Sequence, residues 1–232
     1  MTAPSEAKLY VIPASHPCRA AMLMLEHKRI PFRPIELGVI RHPLTVRARG
    51  FRGRTVPALR IDRQRAQTNR QIARLLERLR PDPPLFPADS RRRAAVEEAE
   101  RWADEVLQPM ARRILLAAVM RDGLDALSDR GDSGNLGYLL YRSARMRRAM
   151  VGPIGRYWGA AAKQGQDLLD LPAALDRIDS WLAEGILGAE RSNAAGLQTA
   201  PSIALLLYVR NLRPQIETRP VGSWAERLVT RP

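Results

Sequence analysis

Three short stretches of this chain carry residue types that can do chemistry. Ser15-His16-Pro17-Cys18 combines a hydroxyl and a thiol where a turn runs into a helix. The amides and dipole of a helix N-terminus stabilise an anion held beside them, a thiolate above all. A Ser15 hydroxyl there can donate a hydrogen bond to a substrate's sulfur and lower its pKa. Ser15 can equally serve only as a helix cap, and Cys18 only as a small hydrophobe. Thr55-Val56-Pro57-Ala58-Leu59 sets a proline directly before a strand, where a plain turn needs one too. Thr68-Asn69-Arg70 places hydroxyl, amide and guanidinium at a helix start, a composition suited either to a carboxylate pocket or to an ordinary cap.

The elements that must position these residues follow from periodicity. Lys8–Ile12 is a short apolar run that predicts a strand. Pro17 suits a first helical turn, and Arg19 to Arg29 reads as a helix with a buried centre. Arg33–Leu37 alternates, placing Ile35 and Leu37 on one face, and Pro34 marks an edge strand. Ala58–Asp62 reads as another strand, with Arg65-Ala66 as its hairpin partner. Ile72, Leu75, Leu76 and Leu79 then give the i, i+3, i+4, i+7 pattern of an amphipathic helix over Asn69–Arg80.

Four prolines between Pro81 and Pro87 break any regular element, so the domain boundary is placed there, with domains at 1–83 and 90–232. Beyond Ser90 the pattern is helical throughout. One long helix runs from Val96 past Ile114 with a kink at Pro109, and further helices fit Leu136–Met150, Leu171–Glu184 and Ser202–Asn211. Thr199 and Ser202 read as a weak N-terminal cap of the last of these. The fold class is therefore a small α/β domain followed by an all-α one.

Composition narrows the function classes. The 232 residues are 45% hydrophobic, a globular proportion that excludes wholesale disorder. The longest strictly apolar runs, Ile114–Met120 and Ile203–Val209, are far too short to span a bilayer. A single cysteine excludes an internal disulfide and a cysteine-based metal site, and the three histidines lack metal-ligand spacing. The formal charge is +14, and of 38 basic residues all but Lys8, Lys28 and Lys163 are arginine. Twelve Arg lie between Arg41 and Arg80, opposed only by Asp62 and Glu77, and a second basic patch covers Arg142–Arg156. Such density suits an anionic partner. Phe51 is the only aromatic in the first stripe, which argues against a stacking platform for single-stranded nucleic acid. No export signal is visible. The expectation is a cytoplasmic protein with neither nucleic acid nor membrane as a partner.

Taken together, the order of these motifs resembles the cytosolic glutathione S-transferase family: strand, S-x-P-C, helix, then T-V-P-A-L and strand, then a polar cap on an amphipathic helix, a Pro-rich linker and an all-α domain. Leu9–Arg19 (LYVIPASHPCR) is similar to the serine-type classes, with a delta/theta-like segment. The resemblance implies a thioredoxin-like first domain and glutathione as co-substrate. It gives Ser15 the task of steadying the glutathione thiolate and makes Pro57 cis, with the Val56 backbone pairing the cysteinyl residue. Ser15 stands where glutaredoxin-like relatives keep the redox-active cysteine of C-x-x-C, which argues against dithiol chemistry at Cys18.

The third motif departs from the family's Glu-Ser. Asn69 and Arg70 can meet the γ-glutamyl carboxylate, but Thr68 lacks the charge that would hold the ammonium. Arg54 takes the place of a glycine-carboxylate contact. The implied electrophile site lies near Gln108, Arg112 and Leu116, with Tyr138 or Tyr141 opposite. The resemblance further implies a homodimer formed through the Asn69–Arg80 and Arg91–Arg121 helices and a role in detoxification. The Arg74/Arg78 face and the Glu97/Glu98/Glu100 run either pair across that interface or are solvated faces. The chemistry is addition or substitution by a thiolate on an apolar electrophile. A non-catalytic ligand-binding or interaction protein on the same fold is the alternative, and a nucleic-acid or anionic-surface binder using the Arg41–Arg80 stripe is the third reading.

Overall fold

The computed structural model describes residues 7–38, 41–128, 144–188 and 192–229. The chain divides into two compact units, one of Met1–Asp104 with Gly185–Pro201, the other of Glu105–Glu184 with Ser202–Pro232.

The first unit opens with β1 (Ala7–Val11), α1 (His16–His27), β2 (Phe32–Glu36), α2 (His42–Ala48), β3 (Ala58–Ile61), β4 (Gln64–Gln67) and α3 (Asn69–Leu79). The strands form one sheet in the order β2-β1-β3-β4. β2 runs parallel to β1, whereas β3 is antiparallel to both β1 and β4. This is the thioredoxin-like α/β arrangement that the motif order implies. Edge position explains how β2 tolerates Pro34, since a proline at an edge leaves no ladder bond unmade. Side chains alternate across β1: Leu9 and Val11 are buried among the apolar residues of the unit, and Tyr10 faces a separate cluster of Val46, Phe51 and Ala58. Ile35 and Leu37 pack on that same cluster. Helices α1 and α3 pack on each other.

Helix α2 is absent from the sequence reading, which leaves Arg41–Arg54 as connection. Its only buried residue is Val46, so no periodic stripe announces it. Helix α4 (Ser90–Trp102) follows the Pro-rich segment and belongs to the first unit. Its Asp89 cap accepts from the Arg92 N–H at 2.8 Å. Glu100 of α4 is fully buried and takes both terminal nitrogens of Arg74, at 3.2 and 2.7 Å. Arg74 therefore pairs within its own chain, with Glu97 also 3.9 Å away, and Glu98 pairs with Arg101. For Glu100 this replaces both expectations, since it is neither solvated nor without a partner in its own chain; Glu97 and Glu98 keep exposed side chains. Burial pushes the Glu100 carboxyl up from its ordinary range, and Arg74 opposes that shift.

A π-helical turn, Ala103–Leu107, connects α4 to α5 (Gln108–Asp122). The expected kink at Pro109 takes this form. Proline has no N–H and its ring crowds the carbonyl four residues back, so widening the preceding turn removes the clash.

The second unit contains α5, α6 (Ala144–Tyr157), α7 (Ala160–Ala183), the later part of α8 (Ala194–Leu207), α9 (Arg213–Glu217) and α10 (Pro220–Val229). Helix α5 packs on α6 and α7, and α7 also on α10. Arg113 of α5 holds the buried Asp167 of α7 through two bonds, Nε to Oδ2 at 2.7 Å and Nη2 to Oδ1 at 2.6 Å. Three boundaries differ from the sequence reading, and proline is the reason each time. Pro153, Pro172 and Pro201 lie inside α6, α7 and α8. Tertiary burial on both sides of α7's proline, at Asp167, Leu171 and Leu175, outweighs the one backbone bond that Pro172 forfeits. In α8 the cap is Asn193, whose Oδ1 accepts from the Gly196 N–H at 3.0 Å. Thr199 and Ser202 are buried helix-interior residues and cap nothing. Of the expected helix at Leu136–Met150, residues before 144 lie outside the described residues.

Candidate functional site

Sheet register brings the three motifs to one place. Tyr10 of β1 pairs with Ala58 of β3, and Ala58 with Gln67 of β4. The three strands are thus level at this end of the sheet, and the motifs leave from it: Ser15 just after β1, Val56-Pro57 just before β3, Thr68-Asn69 just after β4. Neighbouring strands are about 5 Å apart, so residues from three distant stretches of sequence leave the same end of one sheet.

Ser15 is the N-cap residue of α1, with φ −81° and ψ 112°, and its side chain makes no capping hydrogen bond. The preceding Ala14 has φ 59°, a left-handed conformation that turns the chain sharply before the helix. The Ser15 hydroxyl is half-buried and uncommitted to its own helix. Cys18, one turn into α1, is buried among the core residues of the first unit.

The Val56–Pro57 peptide is cis. Val56 is half-buried against the Tyr10 cluster, and its backbone lies outside the β3 ladder, which begins at Ala58. Arg54 is exposed in the loop just before it. Gln67, which the sequence reading missed, organises this loop. Its Oε1 accepts from the Gly53 N–H at 2.7 Å, and its Nε2 donates to the Thr55 carbonyl at 2.7 Å. One buried amide thereby clamps the residues on both sides of Arg54. A Cβ built on Gly53 would stand 2.6 Å from Gln67 Oε1, so a side chain there would push the glutamine amide out of the clamp. A glutamine at a strand end carries no signal in sequence; its importance arises only from what the loop brings to it.

Thr68 has φ 70° and ψ 150°, a region that β-branched residues seldom occupy. Its hydroxyl accepts weakly from the Gln71 N–H at 3.5 Å, and its own N–H donates to the Pro57 carbonyl at 3.3 Å, tying the second motif to the third. Asn69, the first residue of α3, is only 2% exposed, and neither end of its amide has a hydrogen-bond partner. An unpaired buried amide costs about 1–3 kcal/mol. Native structures rarely leave such a group orphaned without a use for it. Arg70 follows, half-buried.

Gln108 and Arg112 belong to α5 in the second unit. Arg112 donates to Gln108 Oε1 at 3.1 Å, and its guanidinium lies 4.1 Å from the centre of the Trp158 ring. Leu116 is half-buried on the same helix. Tyr138 and Tyr141 lie outside the described residues. Among the described residues no cluster of His, Cys, Asp and Glu could hold a metal ion, and no helix is long and apolar enough to cross a membrane.

Residues 9–84 match the family model described as the glutathione S-transferase N-terminal domain. Among solved structures, the chain is similar to a GST-like protein from Pseudomonas syringae, with 22% identity and a TM-score of 0.62 over 97% of this chain and 67% of that one. It is also similar to glutathione transferase F7 from Populus trichocarpa, at 16% identity and a TM-score of 0.67 over 97% and 94% of the two chains. A glutathione S-transferase of Ceriporiopsis subvermispora, solved in complex with glutathione, matches at 19% identity and a TM-score of 0.62 over 97% and 95%. No curated protein matches the sequence. At these identities the structural likeness is one of fold. The domain match covers residues 9–84 and so concerns the N-terminal part of the chain.

Proposed function

We propose that this chain, with a glutathione S-transferase N-terminal domain over residues 9–84 and the matching fold, is a serine-type transferase that joins a glutathione-type thiol to an apolar electrophile. The observation that carries the reading is the orphaned Asn69 amide on the sheet edge that also bears Ser15 and Val56. That edge offers a hydroxyl for sulfur, a strand-like backbone for a peptide and a polar pocket for its far end. The glutathione-bound structure from Ceriporiopsis subvermispora supports glutathione as the first thiol to test.

In this reading the Ser15 hydroxyl donates a hydrogen bond to the sulfur, and the N-terminal dipole of α1 adds to the stabilisation of the thiolate. The thiol proton leaves to solvent. The sulfur lone pair then forms the new C–S bond, and the electrophile either expels its leaving group with the bonding pair or takes up a proton after addition. Val56 pairs its backbone with the cysteinyl unit beside Pro57. Arg54 meets the glycine carboxylate, and Asn69, Arg70 and Thr68 meet the γ-glutamyl end. Gln108, Arg112 and Tyr138 are proposed on the electrophile side. A delta/theta-like class, domains at 1–83 and 90–232, a homodimer, a cytoplasmic location and a role in detoxification complete the proposal.

The test is calorimetric titration with glutathione on the wild type and on Asn69→Ala, joined to turnover of an activated aryl halide by wild type and Ser15→Ala. Weaker binding in the first variant and lost turnover in the second are the expected results. Absence of glutathione binding at millimolar ligand would overturn the reading. The neutral Thr68 favours one other possibility, a ligand-binding protein that has lost catalysis; glutathione bound without turnover of any electrophile would establish it.

A further inference from the structure

Gln67 is buried at the end of β4, and its own backbone is fixed twice over. It stands level with Ala58 in the β3–β4 ladder, and its N–H donates to Gln71 Oε1 of α3 at 3.1 Å. A side chain anchored in this way is a rigid support for whatever it holds. What it holds is the loop before β3, through the Gly53 N–H and the Thr55 carbonyl. The two bonds bracket Arg54, which is exposed, and among the described residues no hydrogen bond or ion pair engages the Arg54 side chain.

The bond to Thr55 also orients its neighbour. The Thr55 carbonyl and the Val56 N–H belong to one planar trans peptide and point in opposite directions. Holding the carbonyl toward Gln67 therefore turns the Val56 N–H away from it. On the other side of Val56, the Pro57 carbonyl is taken by the Thr68 N–H at 3.3 Å. The end of β4 thus occupies the carbonyls on both sides of Val56. Among the described residues it leaves the N–H and C=O of Val56 itself without a partner. A residue presenting both groups is what an extended peptide needs for antiparallel pairing.

We propose that Gln67 is a positioning residue of the thiol site. Its two bonds aim the Val56 backbone at the cysteinyl unit and Arg54 at the residue beyond, so that the site selects a thiol tripeptide over the dipeptide that stops at cysteine. This rests on the transferase reading, which gives Val56 and Arg54 a ligand to meet. Gln67 acts only through the loop: a segment already held in place loses less freedom when the ligand binds.

The test compares glutathione with γ-glutamylcysteine by calorimetry on the full chain. Wild type should prefer glutathione by about tenfold, the scale of one charge-assisted hydrogen bond. Gln67→Met keeps the side chain's length and removes both bonds. Gly53→Ala leaves the glutamine in place and displaces its amide from the opposite side, where a β-carbon would stand 2.6 Å from Oε1. Each should cut the preference to about twofold or less, and the double variant no further, because both changes break one clamp. Should Gln67→Met fail to fold, Gly53→Ala decides alone. Asn69→Ala, at the peptide's other end, should weaken both ligands alike and keep the ratio, and so would a variant that merely loosened the fold. In turnover, Gly53→Ala should raise the KM for glutathione about tenfold with kcat and its pH profile unchanged, since Ser15 and α1 still hold the sulfur. Equal affinity of wild type for the two thiols, an unchanged ratio in the clamp variants, or a fall in kcat in place of the KM effect would overturn the proposal and leave the transferase reading standing. Wild type that binds neither thiol would overturn both.

Discussion

The two ends of α3 treat buried polar groups in opposite ways. At the C-terminal end, Lys28 is completely buried, yet it is saturated: its ammonium donates to Glu77, to the Arg80 carbonyl at 2.7 Å and to the Pro81 carbonyl at 3.2 Å. Arg80 reaches back to the carbonyls of Lys28 and Arg29 at 2.9 and 2.6 Å, and Glu77 also accepts the Leu85 N–H at 2.9 Å. At the N-terminal end, Thr68 sits in a strained conformation and the Asn69 amide is buried without partners. A complete network does structural work, locking α1, α3 and the Pro-rich segment together. An incomplete one, on a rigid sheet edge, is where a ligand completes the bonding.

That contrast can be broken from either end. The largest expected effect is at the saturated end. Lys28→Met strands Glu77 and two carbonyls, and breaking a buried pair from one side costs about 3–5 kcal/mol. Urea denaturation should show that loss; a change below about 1 kcal/mol would mean the network is dispensable. At the open end the order reverses, with function falling and stability holding. Ser15→Ala should lower turnover by about 10²–10³-fold, the scale seen when one donor to a reacting anion is removed, with the denaturation midpoint unmoved. Asn69→Leu removes an unpaired amide and should be neutral or stabilising by up to about 1 kcal/mol. Its glutathione affinity should fall. Clear destabilisation would show that the amide is partnered within the fold.

A smaller effect concerns pH. The His27 Nε2–H donates to the Pro84 carbonyl at 3.2 Å, and burial holds its pKa below the ordinary imidazole value of about 6.5. The folded state therefore prefers neutral imidazole. As pH falls from about 6.5 toward the lowered folded value, the unfolded chain binds the proton first and stability declines. His27→Gln should flatten that part of the stability–pH curve, whereas an unchanged slope would assign the loss to other groups.

Much of the first unit was legible in sequence because its signals are local. Proline at the start of α1 and on the β2 edge, and the Ile72/Leu75/Leu76 stripe of α3, each determine an element within a few residues. What escaped reading depends on distant partners. Lys28 looks like a helix-end cation, and only the fold reveals it as the centre of a buried network. Gln67 looks like any polar strand terminus, and α2 leaves a single buried residue as its trace. In the second unit, proline misled the reading, because α6, α7 and α8 continue through residues that normally end helices. Composition places an arginine-rich stripe between Arg41 and Arg80, but only the fold separates Arg74, held by Glu100, from Arg80, which turns back to the carbonyls of Lys28 and Arg29.

The clamp between Gln67 and the Gly53 loop carries a consequence for how this chain can vary. A β-carbon at position 53 would displace the Gln67 amide that sits against it. Change at 53 is thus tied to the residue at 67. A library randomising 53 alone should favour glycine, and one randomising both should recover combinations in which a shorter polar side chain at 67 accompanies alanine or serine at 53. Homologous chains should show the same trade, a linked substitution across fourteen residues of sequence.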